Sequence, residues 1–172
     1  GIFSGDALPA GGTDPGGPSQ ACIDICLEAV RSEPPMSGRA LAAEVTTPSG
    51  YIVEPTGAAD GQEPVAVLAA IKSRTPWQFA ERGVRVHVLP QSTTLSEILA
   101  LRPDGVLFSN GPGDPGSADA ETSLLRGVLD AHIPFFGICL GNQLLGRALG
   151  YGTYKLAYGH RGVNQPVLDR AT

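Results

Sequence analysis

The sequence predicts an α/β fold, in which a parallel sheet is flanked by helices, and three observations favour it. Short apolar runs alternate with helical patterns from Val65 onwards. A loop over residues 109–115 (S-N-G-P-G-D-P) follows one apolar run, and residues 137–141 (G-I-C-L-G) end another. Strand–helix alternation predicts a parallel sheet covered on both faces, whose ligands gather at the carboxyl ends of the strands. Because both loops lie at such ends, we expect them to share one crevice.

Composition limits the class of protein. The chain has 172 residues, of which 42% are hydrophobic, and a net charge of −5, and its mean hydropathy is +0.03. These values permit a packed core. The absence of a basic run argues against a nucleic-acid partner, and no apolar stretch is long enough to cross a bilayer. Three scattered cysteines without a signal peptide indicate a reducing compartment, so we expect the cytoplasm.

Residues 1–60 are predicted to form a separate region that ends in a linker. The composition changes over residues 56–63, which are rich in Gly, Ala and Asp. Before this linker the sequence predicts a turn-rich loop over residues 8–18, a helix over 19–31, a short helix over 41–45 and a strand over 51–53. The helix over 19–31 carries Cys22 and Cys26, for which we expect helix packing rather than metal binding.

Residues 61–172 are predicted to form the second domain, which holds the alternating pattern. Its predicted strands cover residues 65–68, 84–89, 105–108 and 133–138. Its predicted helices cover residues 75–82, 96–101 and 118–130, and a last helix begins near Asn142.

Cys139 is predicted to lie on the sharp turn between the last strand and the last helix. Gly137 and Gly141 flank it in a G-x-C-x-G pattern, which repeats the logic of the G-x-S-x-G nucleophile elbow. The helix N-terminus favours a thiolate, and the N–H of Leu140 is placed to stabilise an oxyanion. A cysteine at a strand end is also often a small buried hydrophobe. The pentapeptide alone therefore leaves both interpretations open.

The loop over residues 109–115 contains two glycines and two prolines, which predicts a rigid turn with exposed backbone N–H groups. Such a turn suits an anion or a developing oxyanion, although a plain strand-to-helix connection has a similar composition. The loop is not a dinucleotide-binding fingerprint, because G-x-G-x-x-G fails and no Walker lysine follows.

Together the two loops resemble the signatures of the class I (triad) glutamine amidotransferases. Within that family the chain looks most like the small, glutamine-hydrolysing subunits of carbamoyl phosphate synthetases. Residues 1–5 (G-I-F-S-G) and 41–47 (L-A-A-E-V-T-T) look like the end of their N-terminal domain, and residues 159–166 (G-H-R-G-V-N-Q-P) resemble their F-G-H-x-G-x-N-x-P segment. Asn142 and residues 146–150 (G-R-A-L-G) are similar to actinobacterial members.

The resemblance implies that Cys139 attacks the amide carbon of glutamine, releases ammonia and leaves a glutamyl thioester that water hydrolyses. It implies that the N–H groups of Gly111 and Leu140 hold the oxyanion, and that Gly113 and Gln143 help to bind glutamine. Ammonia would pass to a large synthetase subunit, which makes carbamoyl phosphate from bicarbonate for arginine and pyrimidine synthesis. ATP and magnesium are expected on that subunit, and no cofactor or metal on this chain.

Three departures from the family pattern bear on activity. The family's catalytic His, the Glu two residues later and an Asn-His-Gly-Phe-like segment belong to a C-terminal part that these 172 residues do not contain. His160 matches a loop of the family rather than that base. Residues 68–72 (L-A-A-I-K) lack the family's Asp-x-Gly turn. We therefore expect a C-terminally incomplete domain with very weak or no glutaminase activity on its own.

Other functions stay open from the sequence. A thiol without a base also fits a non-catalytic module that docks on a synthetase subunit. A triad amidotransferase with a nucleotide or anthranilate-type product is disfavoured by residues 1–55. A DJ-1-like or peptidase elbow is disfavoured by the loop over residues 109–115.

Overall fold

The computed structural model describes residues 19–56, 65–69 and 74–156, together with residues 159, 168 and 170. Three features of the sequence analysis lie outside these residues. They are the predicted loop over residues 8–18, residues 70–72 of the segment that lacks the Asp-x-Gly turn, and His160 with most of its motif. The chain divides into two compact units, Gly1–Pro35 and Met36–Thr172. The predicted division into residues 1–60 and 61–172 stays a prediction, since the linker lies almost wholly outside the described residues.

The first unit contains helix α1, Gln20–Ser32, which agrees with the predicted helix to within one residue. Ser19 precedes it in an extended conformation, and its side chain accepts a hydrogen bond from the N–H of Cys22. Serine at this position satisfies one of the free N–H groups at the start of a helix, which explains where α1 begins. Cys22 and Cys26 are half-buried free cysteines on this helix.

Five strands of the second unit form one sheet within the described residues, in the order β1-β3-β2-β4-β5. They are β1 Tyr51–Val53, β2 Val65–Ala69, β3 Arg85–Leu89, β4 Gly105–Phe108 and β5 Phe135–Gly137. β2 pairs in parallel with β3 and β4, and β4 pairs in parallel with β5. The predicted parallel sheet is confirmed, with β1 added antiparallel to β3 at one edge.

Five α-helices of the second unit accompany this sheet in the described part of the chain. They are α2 Ala42–Val45, α3 Arg74–Ala80, α4 Leu95–Ala100, α5 Asp119–Asp130 and α6 Leu140–Ala148, with a 3-10 turn at Pro115–Ser117 before α5. None of the described helices is long and apolar enough to cross a membrane. The last helix is predicted to begin near Asn142 and begins two residues earlier, at Leu140, directly after Cys139, whose carbonyl accepts a hydrogen bond from the N–H of Gln143.

The core lies on both faces of β4, since successive strand side chains point to opposite faces. One buried cluster joins Val106 and Phe108 to α5 and α6, through Leu125, Val128, Leu140 and Leu144. The other joins Leu107 to β3 and α3, through Val86, Val88 and Ala80. A parallel sheet covered on both faces is therefore the architecture, as the continuous apolar runs predict.

Strand order fixes where a ligand site forms. β3 lies on one side of β2 and β4 on the other, so the strands that follow β2 are added first on one side of it and then on the other. Ligands of open α/β sheets bind outside the carboxyl ends of the strands at such a switch point. The loop over residues 109–115 leaves β4 at this edge, and Cys139 leaves the neighbouring strand β5.

Candidate active site

Cys139 occupies a strained turn between β5 and α6. Its φ is 53° and its ψ is −105°, a conformation that residues other than glycine adopt only when the surroundings enforce it. The N–H of Ile138 donates to the Phe108 carbonyl at 2.9 Å, and the N–H of Gln143 donates to the Cys139 carbonyl at 3.0 Å. The thiol-bearing residue is exposed. A strained, exposed residue between a strand and a helix has the geometry of a nucleophile elbow.

The two flanking glycines are required by close backbone approach. A Cβ atom on Gly137 would lie 2.5 Å from the carbonyl carbon of Gly141. A Cβ atom on Gly141 would lie 2.2 Å from the carbonyl oxygen of Phe108. Both distances are shorter than any real contact allows, so the G-x-C-x-G spacing follows from packing at the turn.

The structure brings the two sequence-predicted loops together. The N–H of Ile138 bonds to Phe108, the residue before the loop over residues 109–115. A Cβ atom on Gly111 would lie 3.2 Å from Cδ2 of Leu140, so the middle of the loop lies against the start of α6. Leu140 is the first residue of α6, where backbone N–H groups have no partner within the helix. Gly111 and Leu140 therefore lie side by side next to Cys139, while their roles stay predictions.

Gly113 and Asp114 fix the far part of the loop on residues 38–41. Gly113 has φ 113°, and a Cβ atom there would lie 2.9 Å from the carbonyl oxygen of Arg39. The N–H of Asp114 donates to that same carbonyl at 3.0 Å. The Asp114 carboxylate accepts from the N–H of Gly38 at 2.9 Å and from the N–H of Gly116 at 2.8 Å. These backbone donors lower the pKa of Asp114 below its ordinary value.

Asp114 is a residue to which the sequence analysis assigned no role. Its bond to Gly116 spans two residues, and aspartate in a turn commonly bonds the backbone two residues on. The bond to Gly116 could therefore have been predicted from the sequence. Its partner Gly38 is 76 residues away, and no local pattern indicates such a contact.

A cleft of about 620 Å³ borders the loop and α6. Gly113 and Gln143, the two residues that the resemblance assigns to glutamine binding, both line it. The rest of its described lining comes from residues 36–37, 114–116, 152–156 and 159. Gln143 is exposed, on the first turn of α6, so its side-chain amide is available to a bound molecule.

No histidine within residues 19–56, 65–69 and 74–156 shares the edge of the sheet where Cys139 lies. His132 precedes β5, at the opposite end of that strand. His87 lies inside β3, where it is paired with Ile52, and burial lowers its pKa. In the same part of the chain, no group of three or more His, Cys, Asp or Glu side chains comes together in a way that could hold a metal ion.

Comparison with known proteins agrees with this geometry. The family model for class-I glutamine amidotransferases matches residues 68–172, which is more than half of the chain. The carbamoyl phosphate synthase small chain of Bifidobacterium longum strain DJO10A is 56% identical over 176 residues, which cover 100% of this chain and 42% of the relative. The small chain of Streptomyces coelicolor is 52% identical over 175 residues, again 100% of this chain and 42% of the relative.

A third relative matches a shorter stretch. The carbamoyl phosphate synthase small chain of Mycobacterium tuberculosis strain H37Rv is 55% identical over 146 residues, or 83% of this chain and 39% of the relative. The chain thus spans about two fifths of the length of these curated relatives. The family match covers both signature loops, the elbow and the helix that follows it. The chain therefore belongs to the class-I glutamine amidotransferase family.

Proposed function

We propose that this chain is the part of a carbamoyl phosphate synthase small chain that carries the nucleophile for glutamine hydrolysis. The observation that carries the proposal is the position of Cys139, strained and exposed on an elbow beside Gly111 at the carboxyl edge of the sheet. Membership of the class-I glutamine amidotransferases supplies the reaction class. Relatives 52% and 56% identical, which are named carbamoyl phosphate synthase small chains, supply the physiological role.

In the proposed reaction the Cys139 thiolate attacks the amide carbon of glutamine. A carbon–sulfur bond forms, and the carbonyl oxygen becomes an oxyanion that accepts hydrogen bonds from the N–H groups of Gly111 and Leu140. The tetrahedral intermediate collapses, the carbon–nitrogen bond breaks, and the nitrogen takes up the proton that the Cys139 thiol lost on ionising and leaves as ammonia. Water then attacks the thioester, which releases glutamate and restores the thiol.

Binding of glutamine is proposed in the cleft that Gly113 and Gln143 line. The backbone at Gly113 is held in position, because residues 38–41 lie in close contact with it and with Asp114. The amide side chain of Gln143 can both donate and accept hydrogen bonds, as recognition of an amino-acid substrate requires. Fixed polar groups around a cleft of this kind set the orientation of a small substrate.

The proposed partner is a large synthetase chain, which would use the ammonia with bicarbonate, ATP and magnesium to make carbamoyl phosphate. The same resemblance implies a role in arginine and pyrimidine synthesis, and the scattered free cysteines favour the cytoplasm. A second candidate function is a non-catalytic module that docks on that chain. It is supported by the lack of a histidine beside Cys139 in the described residues.

Alkylation by 6-diazo-5-oxonorleucine tests the proposal. The Cys139 sulfur forms a bond to the diazomethyl carbon, which takes up the thiol proton and loses nitrogen gas, while the adjacent ketone oxygen occupies the oxyanion position. We expect peptide mapping to find the adduct at Cys139 and not at Cys22 or Cys26, which serve as internal controls. Cys139→Ser should remove the adduct. Equal labelling of all three cysteines would contradict the proposal and favour the docking module.

A further inference from the structure

Arg147 makes three hydrogen bonds that join separate elements. It lies in the last turn of α6, and long side chains on a helix point back towards its N-terminus. Its guanidinium donates to the Pro115 carbonyl at 2.6 Å and to Oγ1 of Thr122 at 3.1 Å. It also donates to the Asp119 carboxylate at 2.7 Å. The side chain is 19% exposed, so the bonds to Pro115 and Thr122 are partly shielded from water, whereas the bond to Asp119 is exposed.

The acceptors belong to the segment that ends the loop over residues 109–115. Pro115 begins the 3-10 turn that follows Asp114. Thr122 is 3% exposed on α5, and its hydroxyl in turn donates to the carbonyl of Ala118 at 2.7 Å. Arg147 thus connects the loop, the start of α5 and the helix that follows Cys139.

The loop is held to the elbow at its other end as well. There the bond from the Ile138 N–H to the Phe108 carbonyl joins the end of β4 to the Cys139 turn. Gly111 lies between the two attachments, against Leu140. If the Arg147 bonds are lost, Gly113 and Asp114 keep their contacts with residues 38–41, but those contacts do not join the loop to α6.

We propose that Arg147 is a positioning residue, which keeps the loop over residues 109–115 against the Cys139 turn so that the N–H groups of Gly111 and Leu140 point at the same oxyanion. The inference rests on the proposed function and deepens it, because Arg147 touches no reacting atom. A displacement of about 1 Å in such a site costs as much as a hundredfold in rate.

The guanidinium shape, rather than its charge, is what the arrangement uses. The ion pair with Asp119 contributes little by itself, because that carboxylate is 84% exposed. The other two acceptors, a carbonyl and a hydroxyl, both take hydrogen bonds from one nitrogen, Nη1, while Nη2 reaches Asp119, so the contacts with all three acceptors use both arms of the guanidinium. Arginine offers a planar fork of donors, whereas lysine presents one compact ammonium group.

Arg126 provides a matched control. It also bridges α5 and α6, through bonds of 3.2 Å from its guanidinium to the carbonyls of Arg147 and Ala148. These carbonyls lie at the C-terminal end of α6, away from the loop. Arg126→Met therefore removes the same charge and a bridge between the same helices, but leaves the loop attached.

The test compares two alkylating agents on the chain, its Arg147→Met variant and its Arg126→Met variant. We expect Arg147→Met to slow alkylation of Cys139 by 6-diazo-5-oxonorleucine by about tenfold or more, since that reagent uses the oxyanion donors. Iodoacetamide, which does not need them, should react with Cys139 at an unchanged rate. Arg126→Met should alter neither rate, and Arg147→Lys should behave like Arg147→Met.

Three results would overturn the inference. The first is an unchanged rate with 6-diazo-5-oxonorleucine in Arg147→Met, and the second is full retention of the rate in Arg147→Lys. The third is a parallel loss with both reagents, which indicates general damage to the elbow.

Hydrogen exchange separates failure of this inference from failure of the proposed function. If the unsubstituted chain is not labelled by 6-diazo-5-oxonorleucine, the proposed function fails, and exchange alone decides whether Arg147 holds the loop. We expect backbone amides of residues 109–117 to exchange faster in Arg147→Met than in Arg126→Met. Equal exchange in the two variants would overturn the inference independently of any labelling.

Discussion

Gly141 and Gly146 lie on the same helix, and their surroundings differ sharply. A Cβ atom on Gly141 would meet the Phe108 carbonyl, whereas nothing lies within 4 Å of one on Gly146. The Phe108 carbonyl also accepts the hydrogen bond from the Ile138 N–H, so a displacement of Phe108 would also shift the Cys139 turn. Substitutions at Gly141 and Gly146 therefore distinguish the need for glycine at the elbow from the general cost of glycine in a helix.

We expect Gly141→Ala to lower the free energy of unfolding by about 1–3 kcal/mol, as overpacking does, and to abolish labelling of Cys139. Gly146→Ala should instead raise the free energy of unfolding by about 1 kcal/mol, because alanine favours a helix interior over glycine. Denaturant unfolding and the labelling assay measure the two effects. A Gly141→Ala chain that unfolds and labels like the parent would show that the elbow is not as close-packed as described.

Asp114 gives a pH-dependent prediction. Its pKa is lowered in the folded chain by the N–H donors of Gly38 and Gly116, so its carboxylate stabilises the fold above the pKa of the unfolded state, which is about 3.9. That stabilisation is lost as the pH falls through the lower, folded-state pKa. Asp114→Asn should lower the melting temperature by roughly 2–4 °C at pH 7, the effect of about 1 kcal/mol in a chain of this size.

The difference in melting temperature between the unsubstituted chain and Asp114→Asn should shrink as the pH is lowered below 4. The carboxyl group of Asp114 then loses its charge in both the folded and the unfolded state. Thermal unfolding at a series of pH values measures this. A difference that stays constant down to the lowest pH would mean that the charge of Asp114 does not contribute.

At the scale of elements, α6 links the core to the elbow. Leu144 is 4% exposed in the cluster with Phe108 and Leu125, whereas Leu149 at the end of the helix is 61% exposed. We expect Leu144→Ala to lower the free energy of unfolding by about 2–5 kcal/mol, and Leu149→Ala by less than about 0.5 kcal/mol. Denaturant unfolding compares them. Equal losses would contradict the packing of α6 on β4.

Local patterns predicted most bounds of the strands and helices well. The strand over residues 105–108 was predicted with its observed bounds, and α1 and α5 to within one residue at each end. The antiparallel pairing of β1 was not predicted, since a three-residue strand carries no signal for its direction or partner. The pairing depends on β3, which lies more than thirty residues further along the chain.

The candidate site likewise has parts that the sequence predicts and parts that it does not. The turn at Cys139 and its two flanking glycines follow from a five-residue pattern because the G-x-C-x-G spacing is itself the signal, although the backbone that excludes a Cβ atom on Gly141 is that of Phe108, 33 residues away. The attachments that hold the loop over residues 109–115 are not local. Asp114 reaches Gly38 across 76 residues, and Arg147 reaches Pro115 across 32. Such contacts depend on tertiary packing, which no short pattern encodes.

At the scale of the whole molecule, the weak glutaminase activity expected of these 172 residues stays a prediction. Its physical reason is that a thiol of this kind needs a base, and no histidine of the described residues shares the edge of the sheet with Cys139. We expect ammonia release from glutamine to lie at the background rate for the chain by itself. Measurable turnover that Cys139→Ser abolishes would contradict this expectation.

The central claim is the proposal that glutamine binds in the cleft that Gly113 and Gln143 line and from there reaches Cys139, which is not among the residues that line the cleft. The most direct measurement is the rate at which 6-diazo-5-oxonorleucine alkylates Cys139 as the glutamine concentration is raised, with asparagine, one methylene shorter, as the matched control. The account predicts that glutamine slows alkylation in a saturable manner and that asparagine does so far less. Alkylation that is insensitive to glutamine, or equally sensitive to both amino acids, would contradict it.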